Sequence, residues 1–234
     1  MKVEIWSDVM CPFCYIGKRK FETALKQFAH KDDIQIEWRS FQLAPGLVTD
    51  TTKNVYDYLA ERKGWTLDYT KKVHQQLEAS AKEVGLQYDF DRAIPANSFK
   101  AHRFSHLAAT HNLQGVAEER LFSAYFTEGK NIDDAATLVG LGEDIGIPTG
   151  EVASMLEGDE FSNNVRRDLY DAQQVGVTGV PFFVLDNKFA VSGAQPPEIF
   201  LEALQKAYQE SSKVKREATL DNTDGPSCTT EGDC

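Results

Sequence analysis

Two cysteines, Cys11 and Cys14, stand three residues apart in the stretch SDVMCPFC. On a helix that spacing puts both on one face, close enough to close a small disulfide ring. The apolar run of Val3 and Ile5 comes before them, and a polar break follows at Ser7 and Asp8. An amphipathic stretch comes after, so the order reads strand, loop, helix, with the pair at the helix start. Pro12 suits the first helical position, where a missing N–H costs nothing. The unpaired N–H groups and the helix dipole favour negative charge there, which should stabilise a Cys11 thiolate. Cys11 is therefore expected to attack, and Cys14, one turn deeper, to resolve. Two other uses of such a pair exist. Half of a structural zinc site would need a second CxxC, or His and Cys at ligand spacing, and the body of the chain has neither. Two inert core thiols would have no reason to open a helix as CPFC. Asp8, three residues before Cys11, reads as a cap on the strand end, with a proton relay to the thiol as the other reading.

The elements that must hold this pair follow from periodicity. A first helix runs from about Pro12 to Ala29, with Phe13, Gly17, Phe21, Leu25 and Phe28 at the spacing of a buried face. Lys18, Arg19, Lys20 and Lys26 fall mostly on the solvent side by the same count. Ile34, Ile36 and Trp38 alternate with polar residues and read as a second strand, giving β-α-β with parallel strands and a right-handed crossover. Residues 51–160 are helical in period. Helices are expected around Val55–Leu59, Val73–Val84, Ser98–Asn112, Val116–Glu128, Ala135–Leu141 and Gly150–Leu156, several of them stopped by glycine. Asn97 reads as the N-cap of the Ser98–Asn112 helix. A further helix spans Phe161 to Val175. Strands then follow at Val177–Leu185 and Lys188–Val191, joined by the turn signal Asp186-Asn187. Pro196-Pro197 open a last helix. The order is β-α-β, a helical insert, then α-β-β-α, which is that of a thioredoxin fold split by a helical domain. The division expected is residues 1–50 and 161–210 for the two parts of the sheet domain, 51–160 for the insert, and 211–234 for a flexible tail.

Composition narrows the function classes. The chain has 234 residues, 41% of them hydrophobic, and a formal charge of −11. That surface argues against nucleic acid and against anionic membranes. No run approaches the length of a membrane span. With a strand starting at residue 2, a signal peptide is not expected, and the chain reads as cytoplasmic. In that setting its four cysteines point to catalysis, redox sensing or metal rather than to a disulfide framework. The absence of GxxxxGK[ST], and of GxGxxG after a strand, argues against a nucleotide or flavin cofactor.

Three segments then carry a family resemblance: SDVMCPFC, NSFKAHRF at Asn97–Phe104, and VTGVPFFVLDNKFAVSGAQ at Val177–Gln195. With the helical insert, they make residues 2–210 resemble the DsbA-like thioredoxin-fold oxidoreductases, and within them the FrnE-like branch. The resemblance implies thiol–disulfide exchange at Cys11 and Cys14, with Val180-Pro181 as a cis bond facing them. It also implies substrate contacts at Pro12, Phe13 and Val180. A proline there donates no hydrogen bond and leaves the flanking backbone free to pair with an extended substrate. The chain departs from DsbA at Phe13, where a His would favour the thiolate. It should be a weaker oxidant, suited to reduction, isomerisation or a peroxide-responsive role in oxidative stress. Its partners would be protein thiols and disulfides, or glutathione, with glutathione or thioredoxin supplying electrons and no resident cofactor.

Four further residues attract attention. His102 and His106 share a helix face and are expected to pack or hydrogen-bond within the bundle, since no third metal ligand is evident. Cys228 and Cys234 could form an auxiliary redox pair, remain inert, or bind zinc with the first pair. Two other functions stand beside the main reading. Kappa-class glutathione transferases and 2-hydroxychromene-2-carboxylate isomerases have a similar outline but carry Ser at the position of Cys11. A redox-gated chaperone would use the tail cysteines as its sensor.

Overall fold

Strand β1 (Lys2–Ser7) is buried from Val3 to Ser7, which puts it at the centre of the sheet. The structure is a computed structural model and describes residues 1–220. The strand order is β2-β1-β3-β4. Strand β2 (Gln35–Ser40) runs parallel to β1, with Trp38 beside Ile5. Strand β3 (Phe182–Leu185) is antiparallel to β1, with Phe182 opposite Trp6. Strand β4 (Phe189–Ser192) completes a hairpin with β3. Its two turn residues, Asp186 and Asn187, both have positive φ (54° and 56°). With Lys188 they make a three-residue connection, closed by the Lys188 N–H donating to the Leu185 carbonyl at 3.1 Å, and Asp and Asn tolerate the left-handed backbone that it needs. The parallel β-α-β start and the presence of the hairpin are as the sequence predicts, but β3 begins at Phe182 rather than Val177 and β4 at Phe189 rather than Lys188.

Helix α1 (Pro12–Gln27) and helix α9 (Pro197–Leu220) cover one face of the sheet. Phe21, Phe183 and Phe200 bring α1, β3 and α9 together, with ring centroids 4.6 to 5.7 Å apart. Helix α8 (Ser162–Val175) covers the other face, where Trp6, Ala172, Val177 and Val184 pack. Helix α9 runs past the expected boundary at residue 210, because nothing after it breaks the helix before Leu220.

The insert holds α2 (Val55–Lys63), α3 (Leu67–Glu83), α4 (Phe99–Thr110), α5 (Gln114–Phe126), α6 (Ala135–Asp144) and α7 (Thr149–Glu157). Side-chain caps start several of them: Asn54 accepts from the Asp57 N–H at 2.8 Å and Asp134 from the Thr137 N–H at 2.8 Å. The start of α4 differs from expectation. Ser98 holds the cap position without a side-chain bond. Asn97 stands one residue earlier, and its Oδ1 still accepts the Phe99 N–H at 2.9 Å. The insert shares one core with the sheet rather than packing as a separate bundle. Tyr15 of α1 stacks on Phe122 of α5 at 4.9 Å, and Trp38 of β2 meets the same ring edge-on at 6.4 Å.

A buried carboxylate ties the layers together. Asp168 of α8 is 1% exposed. It accepts from the Ser40 N–H and from Arg39 Nη1, each at 2.9 Å, and lies 2.9 Å from His106 Nε2. Arg39 also donates to the buried Glu4 at 2.9 Å. His106 therefore bonds across to the sheet domain, not within the bundle, and so does His102, 2.9 Å from the Phe41 carbonyl.

A close approach of α1 fixes the same end of the sheet from the opposite face. A Cβ at Gly17 of α1 would lie 2.8 Å from Pro181 Cγ and 3.5 Å from Ala194. Only glycine lets the helix come this near the residue that leads into β3.

Two substitutions test these contacts. Burial alone would raise the Asp168 carboxyl, but bonds from His106, Ser40 and Arg39 outweigh it and hold it below the usual carboxylate range. A carboxylate depressed on folding stabilises fully above its unfolded pKa, about 4, and the contribution fades as pH falls below that. Asp168→Asn is expected to cost about 3 kcal/mol in denaturant unfolding at pH 7, and to flatten the loss of stability in acid. Gly17→Ala is expected to cost about 1 to 3 kcal/mol by overpacking, seen as a lower midpoint in denaturant unfolding, because Pro181 must move.

Candidate active site

The helix start is where the chemistry gathers. Cys11 is the N-cap of α1, with extended backbone (φ −89°, ψ 111°), and Pro12 follows at the first helical position. The Cys11 N–H donates to the Asp8 carbonyl at 2.9 Å, and the Cys14 N–H donates to the Cys11 carbonyl at 3.0 Å. These bonds wind the loop into the helix and set both sulfurs on its inner face. Both cysteines are free thiols. Cys11 is 4% exposed and Cys14 1%.

The two thiols sit in different surroundings. Cys11 Sγ donates to the Val180 carbonyl at 3.4 Å. The Val180–Pro181 bond is cis. Burial pushes the Cys14 thiol well up, and the neighbouring Cys11 adds to that, while the Ser7 hydroxyl and the Asp8 backbone N–H work against it. Cys14 is thus held protonated at neutral pH, and Cys11 is the sulfur nearer to solvent. Phe13, between them, turns outward and is 49% exposed. The Pro12 carbonyl accepts from the Tyr88 hydroxyl at 2.7 Å, so the insert clasps the helix start.

Asp8 is fully buried. Its Oδ1 accepts from the Met10 N–H at 3.2 Å and its Oδ2 from the Leu43 N–H at 2.7 Å. His102 Nε2 lies 3.7 Å from Oδ1. Burial works against charge on His102, but Asp8 outweighs it and raises the imidazole pKa. The carboxylate therefore caps the strand end and ties two loops together beside the cysteines. Among the described residues, no group of three or more His, Cys, Asp or Glu is placed to hold a metal. None of the described helices is long and apolar enough to cross a membrane.

Lys18 corrects an expectation. Instead of facing solvent it is buried, one turn past Cys14, with Nζ 2.5 Å from Glu22 and 2.6 Å from Glu119. Glu119 also accepts from the Tyr15 hydroxyl at 2.5 Å and pairs with Arg19. Helix α5 lies over this face of α1, so a position that counts as solvent-side on an isolated helix becomes an interface. Burial alone would raise the Glu119 carboxyl, but Lys18 and Tyr15 overcome it and lower it.

The structure brings Cys11, Pro12, Phe13, Cys14, Val180 and Pro181 together at one end of the sheet. Cys228 and Cys234 lie outside the described residues. Ser7, Tyr88 and the Leu43 N–H join the site without having been singled out. Tyr88 and Leu43 reach it only through tertiary packing. Ser7 had one signal, its place at the last position of the strand before the cysteine loop.

The comparisons agree with this geometry. The family model described as DSBA-like thioredoxin domain matches residues 2–205. The crystal structure of the protein described as "probable DsbA oxidoreductase SCO1869", from Streptomyces coelicolor, is 32% identical, covering 99% of this chain and 97% of that one, with a TM-score of 0.84. Two more distant structures share the fold. The cytosolic disulfide reductase DsbM from Pseudomonas aeruginosa, solved with GSH, is 14% identical over 92% of this chain and all of that one, with a TM-score of 0.59. A 2-hydroxychromene-2-carboxylate isomerase is 13% identical over 97% of this chain and all of that one, with a TM-score of 0.61. Since the family model spans both parts of the sheet and the helices inserted between them, the chain belongs to the DSBA-like thioredoxin domain family.

Proposed function

We propose that this protein is a thiol–disulfide oxidoreductase that exchanges its Cys11–Cys14 pair with protein or small-molecule thiols through a mixed disulfide. The observation that carries the reading is the unequal setting of two free thiols on one helical turn, with the outer sulfur against the carbonyl that precedes Pro181. In the reducing direction, Cys11 attacks a substrate disulfide as thiolate. A Cys11–substrate S–S bond forms, and the first substrate sulfur leaves with the electron pair. Cys14 then attacks Cys11 Sγ, closing the Cys11–Cys14 disulfide and releasing the second substrate sulfur. Run backwards, the same steps oxidise a dithiol.

The surroundings suit an extended substrate. Once Cys11 is bonded to substrate it no longer donates to the Val180 carbonyl, which becomes free to accept a substrate N–H. Pro181 offers no competing donor. Pro12 and the outward Phe13 ring supply apolar contact beside the sulfur. With Phe13 rather than His between the cysteines, no imidazole favours the reduced state, and the pair is a weaker oxidant than DsbA. The proposed setting is the cytoplasm, with glutathione or thioredoxin as electron partner and no resident cofactor. Support for it comes from the neighbour DsbM, which is described as cytosolic and was solved with GSH.

The likeness to the isomerase favours one second reading, a glutathione-dependent enzyme on the same scaffold. Single substitutions separate the two. Cys11→Ser is expected to abolish disulfide turnover. Cys14→Ser is expected to accumulate mixed disulfides, seen as added mass on non-reducing separation. Full exchange activity in Cys11→Ser would sink the mechanism, and isomerase or transferase turnover surviving Cys14→Ala would favour the second reading.

A further inference from the structure

Tyr88, in the connection between α3 and α4, carries the insert's hydrogen bond to the cysteine motif. Its hydroxyl donates to the Pro12 carbonyl at 2.7 Å. Both neighbours of Tyr88 are tied to the end of α5. The Gln87 carbonyl accepts from the Thr127 hydroxyl at 2.7 Å, and the Asp89 N–H donates to the Phe126 carbonyl at 2.7 Å. The Tyr88 ring stacks on Phe126 at 4.6 Å and meets Phe90 edge-on at 5.5 Å. The phenol is thus held in place before any substrate arrives. Burial pushes it up, so it keeps its proton and remains a donor. A buried phenol needs an acceptor somewhere. The one Tyr88 has lies between the two cysteines in sequence.

The Pro12 carbonyl and the Phe13 N–H are the two ends of one peptide unit. In the first turn of α1, Pro12 has no N–H to offer, and the Cys14 N–H already donates to the Cys11 carbonyl at 3.0 Å. The Phe13 N–H stands at the second helical position, where an amide has no acceptor inside the helix and an N-cap side chain normally takes it. The N-cap here is Cys11. As a thiol its sulfur donates to the Val180 carbonyl at 3.4 Å and makes no cap bond. As a thiolate it has no proton to donate and becomes an acceptor. We propose that Tyr88 is a positioning residue for the Cys11 thiolate: its hydroxyl orients and polarises the Pro12–Phe13 peptide, so that the Phe13 N–H meets the thiolate as a stronger donor. The inference rests on the reading of Cys11 as the attacking sulfur. A hydrogen bond at the carbonyl end of a peptide draws charge from the N–H end and strengthens its bond by about 10 to 30%. A donor already fixed in place also costs no reorganisation as charge forms. Tyr88 gives up no proton in this role; the Cys11 proton goes to solvent.

The charged groups of the neighbourhood leave this task to the backbone. Lys18 and Arg19, the nearest cations along α1, are both paired with Glu22 and Glu119. His102 faces the Asp8 carboxylate, which also takes the Met10 and Leu43 N–H groups. The Val180 carbonyl is an acceptor and offers a thiolate nothing. With Phe13 between the cysteines, no imidazole stands there either.

The rate at which iodoacetamide alkylates Cys11 in the reduced full-length protein, followed against pH and assigned by peptide mass mapping, reads the thiolate directly. Tyr88→Phe keeps the ring and loses the hydroxyl. The midpoint of its profile is expected to move up by about 0.2 to 0.5 of a pH unit. Its plateau at high pH is expected to hold or rise, because a more basic thiolate is the better nucleophile. Tyr125→Phe is the matched control, since that hydroxyl donates to the Ile94 carbonyl at 3.0 Å elsewhere in the insert. Its loss is expected to leave the midpoint in place. An unmoved midpoint or a fallen plateau in Tyr88→Phe overturns the proposal. An equal rise in Tyr125→Phe does so too, since that marks a general loosening of the insert. If Tyr88→Phe does not fold, Tyr88→Leu replaces it under the same criteria, and failure of both overturns the proposal in favour of a structural tyrosine. Cys11→Ser tests the underlying reading separately. If Cys14 is then alkylated with the rate and midpoint first seen for Cys11, the assignment of Cys11 as the attacking sulfur falls, whatever Tyr88→Phe does.

Discussion

The approach of Gly17 to Pro181 decides where the rest of the site can be. A helix carrying any side chain at that turn would stand further from the start of β3. The register of β1 against β3 brings the two segments to the same place. With Trp6 opposite Phe182, the chain leaving β1 and the chain arriving at β3 lie side by side. Pro181 is then across from Ser7, and the Val180 carbonyl falls within 3.4 Å of Cys11 Sγ. Residues from the two ends of the sheet domain meet there, although the whole insert separates them in sequence.

Around this contact, burial divides the labour between the sulfurs. Cys14 sits deeper, and burial pushes its thiol up. The charged groups nearby are buried too, and none stands alone. Asp8 has two backbone donors and a histidine, while Asp168 has an arginine, a backbone donor and a histidine. Such clusters add little net stability against an apolar replacement. Their effect is geometric, because each ties β1 or β2 to the insert. Asp8 and His102 fix the loop before Cys11, and Asp168 with His106 fixes the end of β2.

The parts of this arrangement that depend on neighbours in sequence were legible. The CPFC helix start, the parallel β-α-β unit and the hairpin at Asp186-Asn187 each follow from local spacing and turn chemistry. The resemblance supplied Val180 and Pro181. What stayed hidden are pairings over long separations. Tyr88 reaches Pro12 across 76 positions and Cys11 reaches Val180 across 169. Periodicity on one helix assigns Lys18 to solvent, and only the placement of α5 over α1 makes it an interior cation. His102 and His106 share a helix face, but their hydrogen-bond partners belong to the sheet domain, which the helix pattern alone does not reveal.

The central claim is that Cys11 and Cys14 form a reversible disulfide. Equilibration of the full chain in graded glutathione buffers, followed by thiol alkylation and peptide mass mapping, measures this directly. The account predicts that the two sulfurs pair with each other as the buffer becomes oxidising. It also predicts a potential more negative than the roughly −120 mV of DsbA, in keeping with Phe13 where DsbA has His. If Cys11 and Cys14 stay unpaired under oxidising glutathione, the exchange mechanism is contradicted, and the glutathione-dependent reading of the same scaffold takes its place.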